Sequence, residues 1–218
     1  MAKLELAKPT LIMLYGFPGS GKTYLANNLC DTLGAAHVSG DKIRHQLFEN
    51  PRYDRTENEI VDRLMEYMTE EFLDAGVSVI FDTNAIKKAQ RRILRDIARK
   101  KKGEHILVWL QIDADTAFIR VSHRDRRKND DRYAQPLDRP KFNEITSRMQ
   151  NPGIDEDYMV LSGKHSYPMQ RSTLIKKLYD KKLIKPEEAS TNVVKPGLVN
   201  LVPTAGRVDM ARRNISIR

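Results

Sequence analysis

The sequence predicts an α/β fold, a three-layer αβα sandwich around a mainly parallel five-stranded sheet. Two observations carry this prediction. Short apolar runs typical of buried strands alternate along the chain with stretches of helical periodicity. The first of these runs leads directly into a glycine-rich loop and then into a helical stretch, as in a parallel strand–helix unit. With 218 residues, the chain is long enough for one such domain with a substantial core.

The first strand–helix unit is built around a glycine-rich loop of the form G-x-x-x-x-G-K-[ST]. An apolar run at residues 11–15 precedes the loop, and a helical pattern at residues 24–33 follows it, with Gly34 as a natural stop. Strand, loop and helix are the context that a phosphate-binding P-loop requires. The loop reads Gly16-Phe17-Pro18-Gly19-Ser20-Gly21-Lys22-Thr23.

The chemistry expected of this loop follows from its residue types. Glycines let the backbone N–H groups point inward at a phosphate, and the helix N-terminus adds partial positive charge. Lys22 is expected to reach the β- and γ-phosphates of ATP, and the Thr23 hydroxyl to hold Mg²⁺. The predicted nucleotide-binding residues of the loop are Gly16, Pro18, Gly19, Ser20, Gly21, Lys22 and Thr23.

Two further predicted strands end beside polar residues. Residues 35–39 lead to Asp41, with Arg44 three positions later, and residues 77–81 lead to Asp82. Because ligands bind beyond the carboxyl ends of parallel strands, these side chains are candidates for a site. Asp82, beside the P-loop, is a candidate for Mg²⁺ coordination or substrate orientation. Asp41 could accept a hydroxyl proton and Arg44 could hold a phosphate. The alternatives stay open: Asp41 as only a helix N-cap, and Asp82 as only a strand-end turn residue.

The remaining elements follow from periodicity and turn signals. A capping box at residues 56–59 predicts a helix that runs to Gly76, and residues 106–112 and 158–163 predict two more strands. A last helix is expected at residues 169–182. From Lys185 onward the chain is rich in Pro and Gly, so we expect a domain over residues 1–184 and a flexible or docking tail over 185–218.

Residues 86–102 form a strongly basic predicted helix, with nine cations against Asp96 alone. One interpretation is the solvated outer face of a helix that covers the sheet, and the other is a groove for a nucleic-acid backbone. The predicted buried stripe consists of Ile86, Ala89, Ile93, Ile97 and Ala98.

A charged stretch within residues 122–140 lies where a small kinase places a lid over the transferring phosphate. Arginine suits that place, because its planar fork stabilises charge spread over phosphoryl oxygens. The candidates are Arg124, Arg126 and Arg127. A salt-bridged helix end is the alternative.

Composition limits the function classes. The formal net charge of +9 mildly favours an anionic partner, and the single cysteine, Cys30, excludes an internal disulfide framework. Neither a membrane-spanning apolar run nor a signal-peptide pattern is visible, so a cytoplasmic location without membrane contact is expected. The five histidines lack the spacing of a Cys/His metal site.

Together these motifs resemble the kinase domain of polynucleotide 5′-kinases, within a broader group of small P-loop kinases that includes zeta-toxin-like and AAA_33-type proteins. The resemblance rests on G-x-P-G-S-G-K-T, on D-x-x-R at Asp41 and Arg44, and on D-T-N at Asp82. It covers about residues 10–183 and implies a nucleoside-monophosphate-kinase-like fold with an arginine-bearing lid.

The resemblance also implies roles and an activity. Asp41 would be the general base and Arg44 would hold an acceptor phosphate, with Asp82 on the metal or acceptor side. Arg126 would be the lid arginine that meets the γ-phosphoryl, with Arg124 and Arg127 as further candidates. The implied activity is transfer of phosphate from ATP, with Mg²⁺, to a hydroxyl acceptor such as a polynucleotide 5′-OH. A small-molecule hydroxyl (on a sugar, nucleoside or antibiotic) and a non-catalytic ATP-binding switch are the alternatives. The oligomeric state is not predicted.

Overall fold

A single parallel sheet forms the centre of the computed structural model, which describes residues 3–83, 87–124, 132–135 and 137–186. The strand order is β2-β3-β1-β4-β5, and every pair of neighbours is parallel. The predicted five-stranded αβα sandwich is therefore confirmed. The strands are β1 (Thr10–Tyr15), β2 (Ala36–Ser39), β3 (Val79–Asp82), β4 (Glu104–Gln111) and β5 (Tyr158–Ser162).

Seven helices lie among the described residues and connect or cover these strands. They are α1 (Lys22–Leu33), α2 (Gly40–Leu47), α3 (Arg55–Asp74), α4 (Lys88–Lys100), α5 (Ala114–Ser122), α6 (Arg139–Ser147) and α7 (Tyr167–Asp180). No helix in the described part of the chain is both long enough and apolar enough to span a bilayer.

The two faces of the sheet carry separate cores. Alternate residues of β1 point to opposite faces, as the pleat of a strand requires: Ile12 and Leu14 join α1 and α7, whereas Leu11 and Met13 join α3 and α4. A third, smaller cluster joins α5 to α6, with Phe142 of α6 packed against Ala117 and Val121 of α5. Because both faces are covered, the strands are nearly continuous apolar runs rather than alternating ones.

Two predicted helix starts are corrected by the structure. The N-cap of α2 is Ser39, whose side chain accepts from the Lys42 N–H, so the N-cap interpretation of Asp41 is wrong and Asp41 lies in the first turn. The N-cap of α3 is Asp54, which accepts from the Glu57 N–H, rather than Thr56. In both cases the sequence offers two capping side chains that lie two residues apart, and the backbone entering the helix decides between them.

The predicted buried stripe of α4 is wrong in part. Ile93 is 47% exposed, while Arg91 is completely buried. Arg91 donates from Nε and Nη2 to the two carboxylate oxygens of Glu156, at 2.7 Å each. A buried guanidinium is tolerated when such a bidentate partner compensates its lost hydration. That partner lies 65 residues away, so helical periodicity could not reveal it.

The basic surface of α4 is also less available than its composition suggests. Besides Arg91, three of the nine cations in residues 86–102 are paired within the fold: Lys88 with Asp155, Arg99 with Asp96, and Lys101, just after the helix, with Asp74. This pairing favours the interpretation of α4 as a helix that covers the sheet.

Candidate active site

The P-loop lies between β1 and α1 and is held by close backbone contacts. Gly19 has a φ of +85°, and a Cβ there would overlap the carbonyl oxygen of Ala117 in α5. On the other side, a Cβ at Gly163 would lie 2.6 Å from the Ser20 carbonyl oxygen. The glycines therefore serve both the turn of the loop and its close contact with two neighbouring segments.

Lys22 is held inside the loop. Its ammonium donates to the carbonyl oxygens of Gly16 and Phe17, at 2.9 Å each. Burial lowers the pKa of Lys22 to about 8, and the charge of Asp82 is the strongest opposing influence. A buried cation held by neutral carbonyls gains much when anionic phosphate oxygens replace them, so the site is suited to polyphosphate. The Ser20 hydroxyl is also buried and finds no hydrogen-bond partner among the described residues.

A cleft of about 670 Å³ opens above the loop. Its other walls are Arg120, His123 and Arg124 at the end of α5, and the connection between β5 and α7 (residues 163–166) together with Gln170 in the first turn of α7. Arg120 joins these two walls, because its Nη1 donates to the Gly163 carbonyl at 2.8 Å. The size and lining of the cleft fit a nucleoside triphosphate.

Sequence reasoning missed the β5–α7 wall, although the signal was present. The segment follows the carboxyl end of a predicted parallel strand, and the same argument was applied to Asp41 and Asp82. Arg120 gave no such signal, since it lies inside a helix.

Among the lid candidates, the structure places Arg124 in this cleft. The Arg124 Nη1 also donates to the Gln135 carbonyl at 3.1 Å. Its charge acts on both Lys22 and Asp41. Arg126 and Arg127, together with Asn84, fall outside the described residues.

Asp41 and Asp82 follow or end the paired strands β2 and β3 at the same edge of the sheet, and of the two only Asp41 lines a cavity. Burial raises the pKa of Asp41 to about 6, and the nearby charge of Asp82 raises it further against the opposing charges of Arg124, Arg44 and Lys22. Asp82 accepts from His37 Nε2 at 3.2 Å. A buried carboxyl group whose pKa is raised by burial and by a second nearby carboxylate is typical of sites that move protons.

A second cavity, of about 300 Å³, adjoins the first. Thr23, Asp41 and Ala134 line both cavities, so Asp41 lies at their boundary. The remaining lining residues of this acceptor-side cavity are Asn27, His37, Ser39, Lys42, Arg132 and Tyr133. The Tyr133 ring contacts His45 of α2 edge-on, with a centroid distance of 5.5 Å.

Arg44 is not brought to either cavity. Its Nη1 donates to Glu57 at 3.0 Å and its Nη2 to Asn58 at 2.6 Å, and the side chain is buried between α2 and α3. Glu57 also accepts from the backbone N–H groups of Arg52 and Tyr53. In this structure Arg44 therefore joins α2 to α3, and the predicted contact with an acceptor phosphate stays a prediction.

The side chains near the P-loop include two groups that could hold magnesium bound together with ATP. Among the residues that the structure describes, no group of three or more His, Cys, Asp or Glu side chains is arranged to hold a metal ion. A hydroxyl at Thr23 and a carboxylate at Asp82 match the usual pattern, in which Mg²⁺ takes one or two protein ligands and completes its shell with phosphates and water.

Fold and site together define a P-loop kinase-type ATP-binding protein. The AAA domain family AAA_33 matches residues 11–152, and the chain belongs to that family. No curated protein matches it.

Several solved structures share the fold. Kti12 from Chaetomium thermophilum, in complex with ADP-AlF3, is 17% identical with a TM-score of 0.60, over 80% of this chain and 99% of that one. The APS kinase CysC from Mycobacterium tuberculosis, in complex with AMPPNP and APS, is 17% identical with a TM-score of 0.57, over 79% and 98%. A sugar kinase from Janibacter sp. HTCC2649 is 18% identical with a TM-score of 0.55, over 86% and 99%. At these identities the likeness concerns the fold.

Proposed function

We propose that this protein is an ATP- and Mg²⁺-dependent kinase that transfers the γ-phosphate of ATP to a hydroxyl group. The observation that carries the proposal is the position of Asp41 at the boundary between two cavities. One cavity has the P-loop as its floor, and the other is lined mainly by hydrogen-bonding side chains. A donor and an acceptor bound in these two cavities would meet at the Asp41 carboxylate.

The proposed reaction is a direct transfer. The acceptor oxygen attacks the γ-phosphorus, the bond from that phosphorus to the β,γ-bridging oxygen breaks, and ADP leaves. The acceptor proton passes to the Asp41 carboxylate, whose raised pKa makes it a better proton acceptor near neutral pH than an ordinary aspartate. Bound magnesium would neutralise charge on the β- and γ-phosphates.

The chain's own residues divide the remaining tasks. Lys22 leaves the Gly16 and Phe17 carbonyls to bind the β- and γ-phosphates, and Arg124 contributes positive charge on the lid side. Thr23 and Asp82 are the proposed magnesium ligands. Arg126 and Arg127 remain proposed contributors from the lid.

For the acceptor, we propose a polynucleotide 5′-OH. Lys42 and Arg132 on the acceptor-side cavity supply cations for a backbone phosphate, and Tyr133 supplies a ring on which a base could stack. The resemblance to polynucleotide 5′-kinases in the P-loop, at Asp41 and at Asp82 supports the same acceptor.

A second candidate is a small-molecule hydroxyl acceptor. Two observations favour it: the acceptor-side cavity of about 300 Å³ is small, and Arg44 is turned away from it towards Glu57. A non-catalytic ATP-binding switch fits less well, because binding alone gives no reason to bury a carboxylate beside the phosphate site.

Incubation with γ-labelled ATP and Mg²⁺ tests the proposal. The acceptor set would contain 5′-OH oligonucleotides, matched 5′-phosphorylated oligonucleotides, nucleosides and sugars. Label on the 5′-OH oligonucleotide alone supports the polynucleotide acceptor, and label on a nucleoside or sugar alone supports the second candidate. Bound ATP with no label transferred to any hydroxyl would contradict the kinase proposal.

A further inference from the structure

His37 makes a contact that no sequence motif indicated. It lies on β2, the edge strand, and its Nε2 is 3.2 Å from Oδ2 of Asp82 on the adjacent strand β3. The carboxylate is 5% exposed and the imidazole 18% exposed. Because a carboxylate can only accept, Nε2 carries the hydrogen in this contact.

The strand register makes this contact a consequence of the sheet. Ser39 pairs with Asp82 and His37 with Ile80, so His37 lies two residues before the partner position of Asp82. The imidazole reaches along the strand to the carboxylate oxygen.

Asp82 has few other constraints. The hydrogen bond from His37 is the one described for its side chain. Asp82 lines neither cavity itself, but its charge acts on Lys22 and on Asp41, which line the cleft above the P-loop, so the carboxylate lies near the place where phosphate, metal and acceptor would meet. With Oδ2 held by His37, Oδ1 accepts no hydrogen bond from the residues that the structure describes and can take a ligand.

We infer that His37 is a positioning residue that orients the Asp82 carboxylate towards magnesium bound with ATP. The inference rests on the proposed function, in which Asp82 is a magnesium ligand. Partners that orient a metal-binding carboxylate generally matter for metal affinity, and their loss typically costs about tenfold or more. His37 also lines the acceptor-side cavity, so a contact with the acceptor is the competing role.

The test compares two substitutions at this position. His37→Leu removes the hydrogen bond while keeping a side chain of similar bulk, and His37→Gln keeps an N–H donor at similar reach. The control is His105→Leu, which removes a partly buried histidine from β4 near the opposite, amino-terminal end of the sheet.

The measured quantity is Mn²⁺ affinity, followed by electron paramagnetic resonance in the presence of AMPPNP. We expect His37→Leu to weaken Mn²⁺ binding about tenfold, and His37→Gln and His105→Leu to bind within about twofold of wild type. AMPPNP affinity without metal should be equal in all four proteins. Kinetically, the Mg²⁺ concentration for half-maximal rate should rise in His37→Leu, with the acceptor KM unchanged.

Unchanged Mn²⁺ affinity in His37→Leu would overturn the inference, as would an equal loss in His37→Leu and His37→Gln. A raised acceptor KM with normal Mn²⁺ binding would assign His37 to the acceptor instead. The failure of the proposed function looks different: wild type would bind AMPPNP and Mn²⁺ but transfer no label to any hydroxyl, while the His37 series could still show the expected metal effect.

Discussion

The donor side and the acceptor side of the site are built in different ways. The phosphate-binding floor comes from one continuous segment, Gly16 to Thr23, in which Lys22 contacts carbonyls five and six residues before it. The metal and acceptor side combines side chains from different elements, namely His37 of β2, Asp82 at the end of β3 and Asp41 of α2. The first arrangement is local, whereas the second exists only after the sheet has formed.

This difference separates two kinds of mutational effect. A change in the local segment should impair ATP binding or turnover with little effect elsewhere. A change on the acceptor side should affect both chemistry and stability, because the same buried groups connect β2, β3, α2 and α3. Four predictions test this contrast, beginning with the largest expected effect.

Lys22→Ala should reduce turnover about 100- to 1,000-fold, because it removes a preorganised cation from the transferring phosphate. The thermal midpoint without nucleotide should change little or rise, since the buried ammonium has a lowered pKa and contributes no net stability of its own. Steady-state kinetics and thermal unfolding of the same samples measure both effects. A large loss of stability would show that the lysine is mainly structural.

Arg44→Ala should lower the thermal midpoint by roughly 10 °C, because it leaves the Glu57 carboxylate without its buried cation. Turnover should fall as well, since α2 also carries Asp41. Arg91→Ala is the matched control: it breaks another buried Arg–Glu pair and should destabilise similarly while the folded protein keeps its turnover. If Arg44→Ala keeps its midpoint and only raises the KM of phosphate-bearing acceptors, then Arg44 binds acceptor phosphate as the sequence predicted.

The pH dependence should follow Asp41. With both substrates far below saturation, the rate constant should fall about tenfold per pH unit below about pH 6, as the free enzyme's base becomes protonated. The rate constant falls, rather than rises, at low pH because only the ionised carboxylate of Asp41 can accept the hydroxyl proton. A rate that stays constant down to pH 5 would exclude a base with this pKa.

Arg92→Glu should have the smallest effect, less than about twofold on oligonucleotide affinity at moderate salt, if α4 is a solvated outer face. Arg92 is exposed, whereas three other cations of that helix, Lys88, Arg91 and Arg99, are paired within the fold. Affinity measured at two salt concentrations gives the comparison. A severalfold loss together with a smaller salt dependence would indicate that α4 contacts the nucleic-acid backbone.

The contrast between a local segment and groups from separate elements also explains which features of the fold and site could be predicted from the sequence. The fold, the five strands and the P-loop were predictable because they depend on local periodicity and on one contiguous motif. Asp41 and Asp82 were found because parallel strands end at a common edge. The buried ion pair between Arg44 and Glu57 was not predictable. It depends on a loop whose path no motif indicates and whose backbone N–H groups also donate to Glu57. Arg91 with Glu156 and His37 with Asp82 likewise depend on contacts across the tertiary structure.

Asp41→Asn tests the central claim most directly, with label transfer from ATP and thermal unfolding measured on one preparation. The folded-state pKa of Asp41 lies above its ordinary value, so its ionisation costs stability as pH rises from about 4 to about 6. At pH 7.5 the variant should lose about a hundredfold or more in transfer and gain up to about 3 kcal/mol in the free energy of unfolding. ATP affinity should be unchanged. Wild-type transfer rates in Asp41→Asn, or equal losses of activity and stability, would contradict a catalytic role for Asp41.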